Sequence, residues 1–146
     1  YVRKYIEYGK MVTGVQYANA LRDVWTIKRR MAEFFEKYDL LLTPTMATTA
    51  FPWRNVDITR ENPHQTVYPA VIGGKKAEPH NGFNPFCPPF NISAQPAATV
   101  PCGFASNGLP VGLQIIGRWH EDTTVLQASA VFEEVCPWAV KRPPIN

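Results

Sequence analysis

The sequence has no charged side chain and no histidine between Asn81 and Gly117, a run of 37 residues that contains six prolines and five glycines. A membrane-spanning helix needs about 20 apolar residues without so many helix breakers, so this run does not predict a membrane span. An uncharged and broken stretch instead predicts irregular backbone and short strands buried inside protein. We therefore expect the 146 residues to be part of a larger structure.

Proline is absent before Pro44, and all 14 prolines lie in the rest of the chain. Because proline interrupts helix interiors, this distribution excludes an all-helical bundle. Hydrophobic residues make up 45% of the chain, which is enough for a core and argues against disorder. The net charge of +3 is too small to predict a nucleic-acid partner.

Cysteine and histidine are scarce, with three residues of each and no Cys-x-x-Cys pair. Such cysteines argue against a disulfide framework and favour a reducing compartment, so we expect a cytoplasmic protein. The histidines lack the spacing of metal ligands. The glycines form neither a P-loop nor a G-x-G-x-x-G motif, so the sequence predicts no metal and no cofactor.

Residues 13–38 predict one amphipathic helix, because their apolar side chains recur at steps of three and four. Thr13 and Gln16 have the spacing of a capping box at its start. Leu40–Thr43 predict a short buried strand that Pro44 ends. Residues 1–12 are only weakly defined as helical, and residues 46–80 predict a long loop region, with a small hairpin at 71–76.

Two further strands are predicted at 98–100 and 112–116, followed by a last helix that begins near Asp122 and ends before Pro137. Gln114 lies on an otherwise apolar strand and is expected to satisfy buried backbone. A helix that leads directly into an apolar strand is typical of α/β proteins. The predicted fold class is therefore α/β, part of a mixed β-sheet sandwiched by helices.

The second half of the chain contains three ordered blocks: Phe90–Ala97, Val100–Gly103 and Gly108–Gly117. Together with the helix, strand and Thr-Pro-Thr turn before them and the last helix after them, these blocks resemble the C-terminal third of the amidase signature family. The match covers about residues 13–136. Ala94 departs from it, since the family usually has glycine there. On this resemblance, residues 1–146 are expected to form the C-terminal segment of a single amidase-type domain.

The resemblance implies a hydrolase that cleaves a carboxylic amide C–N bond through an acyl-enzyme. A serine attacks, a second serine relays its proton to a lysine base, and backbone N–H groups hold the oxyanion. The three serines of this chain, Ser93, Ser106 and Ser129, lie in no Gly/Ser-rich run and have no lysine nearby. We therefore expect no catalytic residue in this chain. The implied partners are the upstream part of the same protein and a small amide substrate.

The best candidates for a substrate pocket lie in the loop that precedes the first matched block. Phe83, Phe86 and Phe90, fixed by three interspersed prolines, would form a rigid apolar wall, although these rings suit a plain core equally well. Thr45 follows a strand end and is a weaker candidate to face the site. Trp53 suits a lid anchor, a surface residue or a packing residue.

Three other functions stay open on the sequence alone. The chain suits a non-catalytic binding or scaffold module that keeps this fold, and it also suits the glutaminyl-tRNA amidotransferase branch of the same family. A third possibility is an independent thiol hydrolase that uses Cys87 or Cys102, although no sequence context pairs either with His80 or His120. If the chain is produced alone, exposed apolar surface predicts self-association.

The serine count leads to a direct test. Purified residues 1–146 should not hydrolyse simple amides, because no serine of this chain has a neighbouring base to activate it. Amide hydrolysis that persists in Ser93→Ala, Ser106→Ala and Ser129→Ala variants would contradict the assignment of the chemistry to residues outside this chain.

Overall fold

A computed structural model describes residues 2–51, 71–77 and 82–141. The described elements, in chain order, are α1 (Val2–Gly9), α2 (Gly14–Phe35), β1 (Leu40–Pro44), β2 (Val71–Ile72), β3 (Lys75–Lys76), α3 (Pro88–Ser93), β4 (Ala97–Phe104), β5 (Pro110–Gly117) and α4 (Asp122–Val135). The predicted lid or packing residue Trp53 lies outside the described residues. Within the described ranges, none of the helices combines the length and the apolar character that crossing a bilayer requires.

The long helix α2 begins at the predicted capping box. The Thr13 hydroxyl accepts the backbone N–H of Gln16 at 3.2 Å, and the Gln16 side chain accepts the backbone N–H of Thr13 at 2.8 Å. These two bonds satisfy donors that the first turn of a helix leaves free. The helix ends at Phe35, three residues before the predicted end at Tyr38.

Strand β5 is the centre of the three-stranded sheet, whose order is β1–β5–β4. It pairs antiparallel with both neighbours, and a bulge at Pro101 and Gly103 shifts its register with β4. The predicted hairpin at 71–76 forms a separate two-stranded sheet, β2–β3.

Helices cover both faces of this sheet. Ile115 and Ile116 are adjacent on β5 and therefore point to opposite faces. Ile116 packs with Phe35 of α2 and Phe90 of α3, whereas Ile115 packs with Val100 of β4 and Val125 of α4. The prediction of an α/β sheet between helices is confirmed.

Strand β1 lies at the edge of the sheet, which changes one expectation. The sequence predicted that Leu40–Thr43 would be buried, but the Leu42 side chain is 56% exposed. Leu42 faces the same side as Ile115, where α4 packs over β4 and β5. Because β1 is the edge strand and α4 packs over the other two strands, part of the apolar surface of β1 stays exposed.

Two contacts fix the end of β5 against the helices. A Cβ atom on Gly117 would lie 2.5 Å from a methyl group of Val125, so the absence of a side chain lets α4 approach the strand. Next along the chain, Arg118 donates to the backbone carbonyl of Phe35 from Nε at 3.0 Å and from Nη2 at 2.6 Å. The guanidinium therefore satisfies a carbonyl that the C-terminus of α2 leaves unpaired.

Ala94 ends α3 in the left-handed region, with φ 62° and ψ 34°. This conformation costs a residue with a Cβ atom about 1 kcal/mol relative to glycine. Ala94→Gly should therefore raise the free energy of unfolding by about 1 kcal/mol, measured by urea denaturation. The same change in the right-handed interior of α2, Ala32→Gly, should lower it by a similar amount. Equal effects of the two substitutions would contradict the strain at Ala94.

Candidate functional site

Uncharged polar side chains gather where β1 ends. Thr43, Thr99 and Gln114 occupy opposite positions on the three paired strands and share the face covered by α2 and α3. Gln114 Nε2 donates to the hydroxyl of Thr43 at 3.0 Å, and the Thr45 hydroxyl donates to that of Thr99 at 3.3 Å. We call these four residues (Thr43, Thr45, Thr99 and Gln114) the threonine–glutamine cluster.

Thr45 lies directly over the backbone of β5 because residue 112 has no side chain. A Cβ atom on Gly112 would be 2.7 Å from the Thr45 hydroxyl oxygen and 3.0 Å from a methyl carbon of Thr99. The backbone N–H of Thr45 donates to the carbonyl of Gly112 at 2.9 Å. The prediction that Thr45 follows a strand end is confirmed, and its hydroxyl is held within the cluster.

The last three residues of the predicted loop, 88–90, form the start of α3. Three hydrogen bonds fix the remaining aromatic–proline loop (residues 83–87) to the cluster and to the residues that follow β1. The backbone N–H of Ala47 donates to the carbonyl of Phe83 at 3.0 Å, and the Cys87 thiol donates to the carbonyl of Thr45 at 3.4 Å. Gln114 Nε2 also donates to the carbonyl of Phe86 at 3.1 Å. Gln114 thus satisfies loop backbone, as the sequence predicted.

The three predicted wall residues occupy different environments. The half-buried Phe83 ring meets Phe51 edge to face, with 5.9 Å between centroids, and Phe86 is half-buried beside the cluster. Phe90 is 6% exposed and packs in the core with Phe35 and Ile116. Backbone carbonyls thus anchor Phe83 to Ala47 and Phe86 to Gln114, while Phe90 lies in the core. Contact of any of them with a substrate stays a prediction.

A cavity of about 320 Å³ adjoins the cluster at Gly112. Its other walls are residues 46–50 after β1, together with Pro110 and Val111 at the start of β5. Neither this lining nor the cluster includes a charged side chain. The hydroxyls of Thr48 and Thr49 in this lining can donate and accept hydrogen bonds, so the arrangement suits a neutral polar group such as an amide.

Asn84 is a candidate that sequence reasoning missed. Its Oδ1 atom is buried without a hydrogen-bond partner in the described structure, and the residue lines a cavity of about 700 Å³ between α2, α3 and the aromatic–proline loop. A buried acceptor without a partner is costly, so such an atom marks a place where a donor fits. An asparagine directly before a proline reads as a turn residue, and the sequence carries no other signal for it.

The thiols and serines show no catalytic pairing in the part of the chain that the structure describes. Cys87 donates to the carbonyl of Thr45 and Cys102 to that of Val111, while the His120 ring stacks on Trp119. His80 lies outside the described residues. The buried Ser93 and the half-buried Ser129 donate to carbonyls of their own helices, and Ser106 lies in the exposed β4–β5 turn. No cluster of three possible metal ligands occurs among the described residues either.

Comparison with known proteins gives consistent matches along most of the chain. A family model described as Amidase matches residues 2–126. An acylamidase of Rhodococcus erythropolis is 35% identical over 149 residues, which cover 98% of this chain and 28% of that protein. A glutamyl-tRNA(Gln) amidotransferase subunit of Moorella thermoacetica is 37% identical over 132 residues, which cover 89% of this chain and 23% of that protein.

Solved structures match in the same way. A bacterial aryl acylamidase of the amidase signature enzymes superposes with a TM-score of 0.75 and 33% identity, covering 97% of this chain and 28% of that one. A 6-aminohexanoate cyclic dimer hydrolase superposes with a TM-score of 0.71 and 27% identity, with the same coverage. The chain thus spans about a quarter of the length of the curated relatives described above.

The role of Gln114 in fixing the loop can be measured through Cys87. Gln114→Leu removes the donor to the Phe86 carbonyl, which should lower the free energy needed to open the loop by about 1 kcal/mol. Because the loop then opens more often, the half-buried Cys87 should react with iodoacetamide about 5- to 10-fold faster. Labelling is followed by peptide mass spectrometry, with the exposed Cys102 as the internal standard. Gln127→Leu, an exposed position on α4, is the matched control. Equal Cys87 rates in both variants would contradict the role of Gln114.

Proposed function

Because this chain belongs to the amidase signature family, we propose that it is the C-terminal, pocket-lining segment of an enzyme that hydrolyses a carboxylic amide. The observation that carries the proposal is the uncharged threonine–glutamine cluster beside a 320 Å³ cavity. An amide is neutral and both donates and accepts hydrogen bonds, and threonine hydroxyls match it without the cost of burying a charge.

The chemistry that we propose uses groups outside these 146 residues. A serine oxygen bonds to the amide carbonyl carbon, the C–N bond breaks, and the amine leaves with a proton that a lysine and second serine deliver. Water then hydrolyses the acyl-enzyme ester and restores the serine. Ser93, Ser106 and Ser129 do not suit the nucleophile, because none has a base beside it in the described structure.

The contribution of this chain is the wall that holds the substrate. Phe83 and Phe86 supply apolar surface for the acyl or amine group, and Phe90 supports them from the core. Thr45 offers a hydroxyl just past the end of β1, where it is oriented by Thr99. The partners of the chain are thus the rest of the amidase fold and a small amide. We also place the protein in the cytoplasm, since its three cysteines are unpaired, which suits a reducing compartment.

Two alternatives have specific support. The similarity to the Moorella amidotransferase protein favours the amidotransferase branch, although a net charge of +3 gives little help in binding a tRNA. The lack of a paired serine or thiol among the described residues favours a scaffold module without chemistry of its own. Replacing the matching segment of a relative with this chain, and then assaying activity, distinguishes both alternatives from the hydrolase.

We would replace the 149 matched residues of the Rhodococcus acylamidase with this chain and assay hydrolysis of 4-nitroacetanilide. The chimera should hydrolyse it, whereas the acylamidase truncated before that segment should not, because an incomplete wall cannot hold the substrate near the serine. A folded but inactive chimera would contradict the proposal and favour the scaffold module. The parallel exchange into the Moorella protein, with glutamine amide hydrolysis as the assay, tests the amidotransferase branch.

The wall residues are tested in the active chimera. Phe83→Ala should raise KM for 4-nitroacetanilide about 10-fold and change kcat less than about 3-fold, because lost apolar contact of about 1.4 kcal/mol weakens binding rather than chemistry. Phe104→Ala, at the far end of β4 and 48% exposed, is the matched control and should change neither constant. An unchanged KM in Phe83→Ala would remove Phe83 from the substrate wall.

A further inference from the structure

A cavity of about 630 Å³ lies away from the threonine–glutamine cluster, between the C-terminal half of α2, the end of α3 and the turn that follows β5. We call it the indole cavity, because Trp25 and Trp119 both line it. None of its lining residues belongs to the cluster or to the cavity beside it. Its volume falls in the range of about 300–1,000 Å³ that is typical of small-molecule sites.

Both indole rings are largely exposed within this segment. Trp25 is 70% exposed and Trp119 is 57% exposed, although tryptophan is a residue that gains greatly from burial. His120 stacks on one side of the Trp119 ring and the ammonium of Lys28 lies 5.8 Å from the centre of the Trp25 ring. Large rings exposed at the mouth of a cavity indicate an aromatic or otherwise flat apolar ligand.

The cavity also carries positive charge and hydrogen-bond donors that are not used within the described structure. Lys28 forms no ion pair in the described structure, and Arg118 uses only Nε and Nη2 on the Phe35 carbonyl, with Asp39 at 3.6 Å from Nη2. A guanidinium has five N–H donors, so others remain available to an anion. Three basic side chains line the cavity against one acidic side chain, Glu36. Arg29, the third basic residue, is already paired with Glu33.

Gln95 adds a requirement for a hydrogen-bond donor. Its Oε1 atom is buried and has no partner in the described structure, and the residue lines both this cavity and a neighbouring one of about 360 Å³. Beside it in the lining is Ser93, which is 3% exposed and whose hydroxyl makes only a long bond of 3.5 Å to the Phe90 carbonyl. A buried acceptor of this kind favours a ligand that brings an O–H or N–H group.

We propose that the indole cavity binds a small aromatic carboxylate that carries a hydroxyl or N–H donor on its ring. The ring contacts Trp25 and Trp119, the carboxylate meets Lys28 and the free N–H groups of Arg118, and the donor bonds to Gln95 Oε1. Binding is non-covalent, and it does not depend on the amide hydrolysis proposed above.

The test uses 4-hydroxyphenylacetate and two compounds that each lack one feature. Phenylacetate lacks the donor and 4-cresol lacks the carboxylate. In ¹H–¹⁵N spectra of the full chain, assigned with single Trp→Phe variants, 4-hydroxyphenylacetate should shift the indole N–H signals of Trp25 and Trp119. It should leave that of Trp138, which packs on Phe132, unmoved. The two comparison compounds should bind at least about 5-fold more weakly, since each forfeits one favourable contact.

Two variants locate the contacts. Gln95→Leu should remove the preference for 4-hydroxyphenylacetate over phenylacetate, and Lys28→Gln, which keeps a polar side chain at a half-buried position of α2, should reduce the preference for it over 4-cresol. Lys141→Gln is the matched control, because Lys141 lies 5.0 Å over the ring of Phe104, outside the indole cavity. Absence of shifts at Trp25 and Trp119, equal binding of the three compounds, or loss of preference in Lys141→Gln would overturn the proposal.

Discussion

The pairing of β5 with its two neighbours is the constraint on which the rest of this structure depends. Its central position gives each side chain on the strand a fixed face, and a shift of one residue would exchange the two faces. Ile116 then meets α2 and α3, and Ile115 meets α4. The same register puts Gln114 opposite Thr43 and Gly112 beneath Thr45. Core and candidate site are therefore two consequences of one strand alignment.

Local signals made part of this fold predictable. The capping box involves only Thr13 and Gln16, which are close in the sequence, so the start of α2 could be predicted from the sequence. The apolar runs that form β1 and β5 are equally local. In contrast, α3 has only six residues, too few for helical periodicity to show, and the uncharged run that contains it read as irregular backbone. The exposure of Leu42 depends on the order of the strands, which no single segment encodes.

In the candidate site, only residues whose role is indicated by their immediate sequence neighbours could be predicted. Thr45 was identified because it follows a strand end, and Gln114 because an amide on an apolar strand needs a partner. Asn84 and Gln95 could not be predicted as site residues, because nothing in the sequence shows that their side-chain oxygens are buried without a hydrogen-bond partner. The resemblance to amidases described the fold correctly, but it could not distinguish Phe90 in the core from Phe83 at the loop surface.

The bond from Arg118 to the carbonyl of Phe35 has a structural consequence. It ties the last turn of α2 to the end of β5, which are 83 positions apart in the chain. The ends of α2 and β5 are therefore joined by this side chain as well as by the intervening backbone. Since β5 also carries Gln114, which holds the aromatic–proline loop, one strand contacts both the helix end and the candidate site.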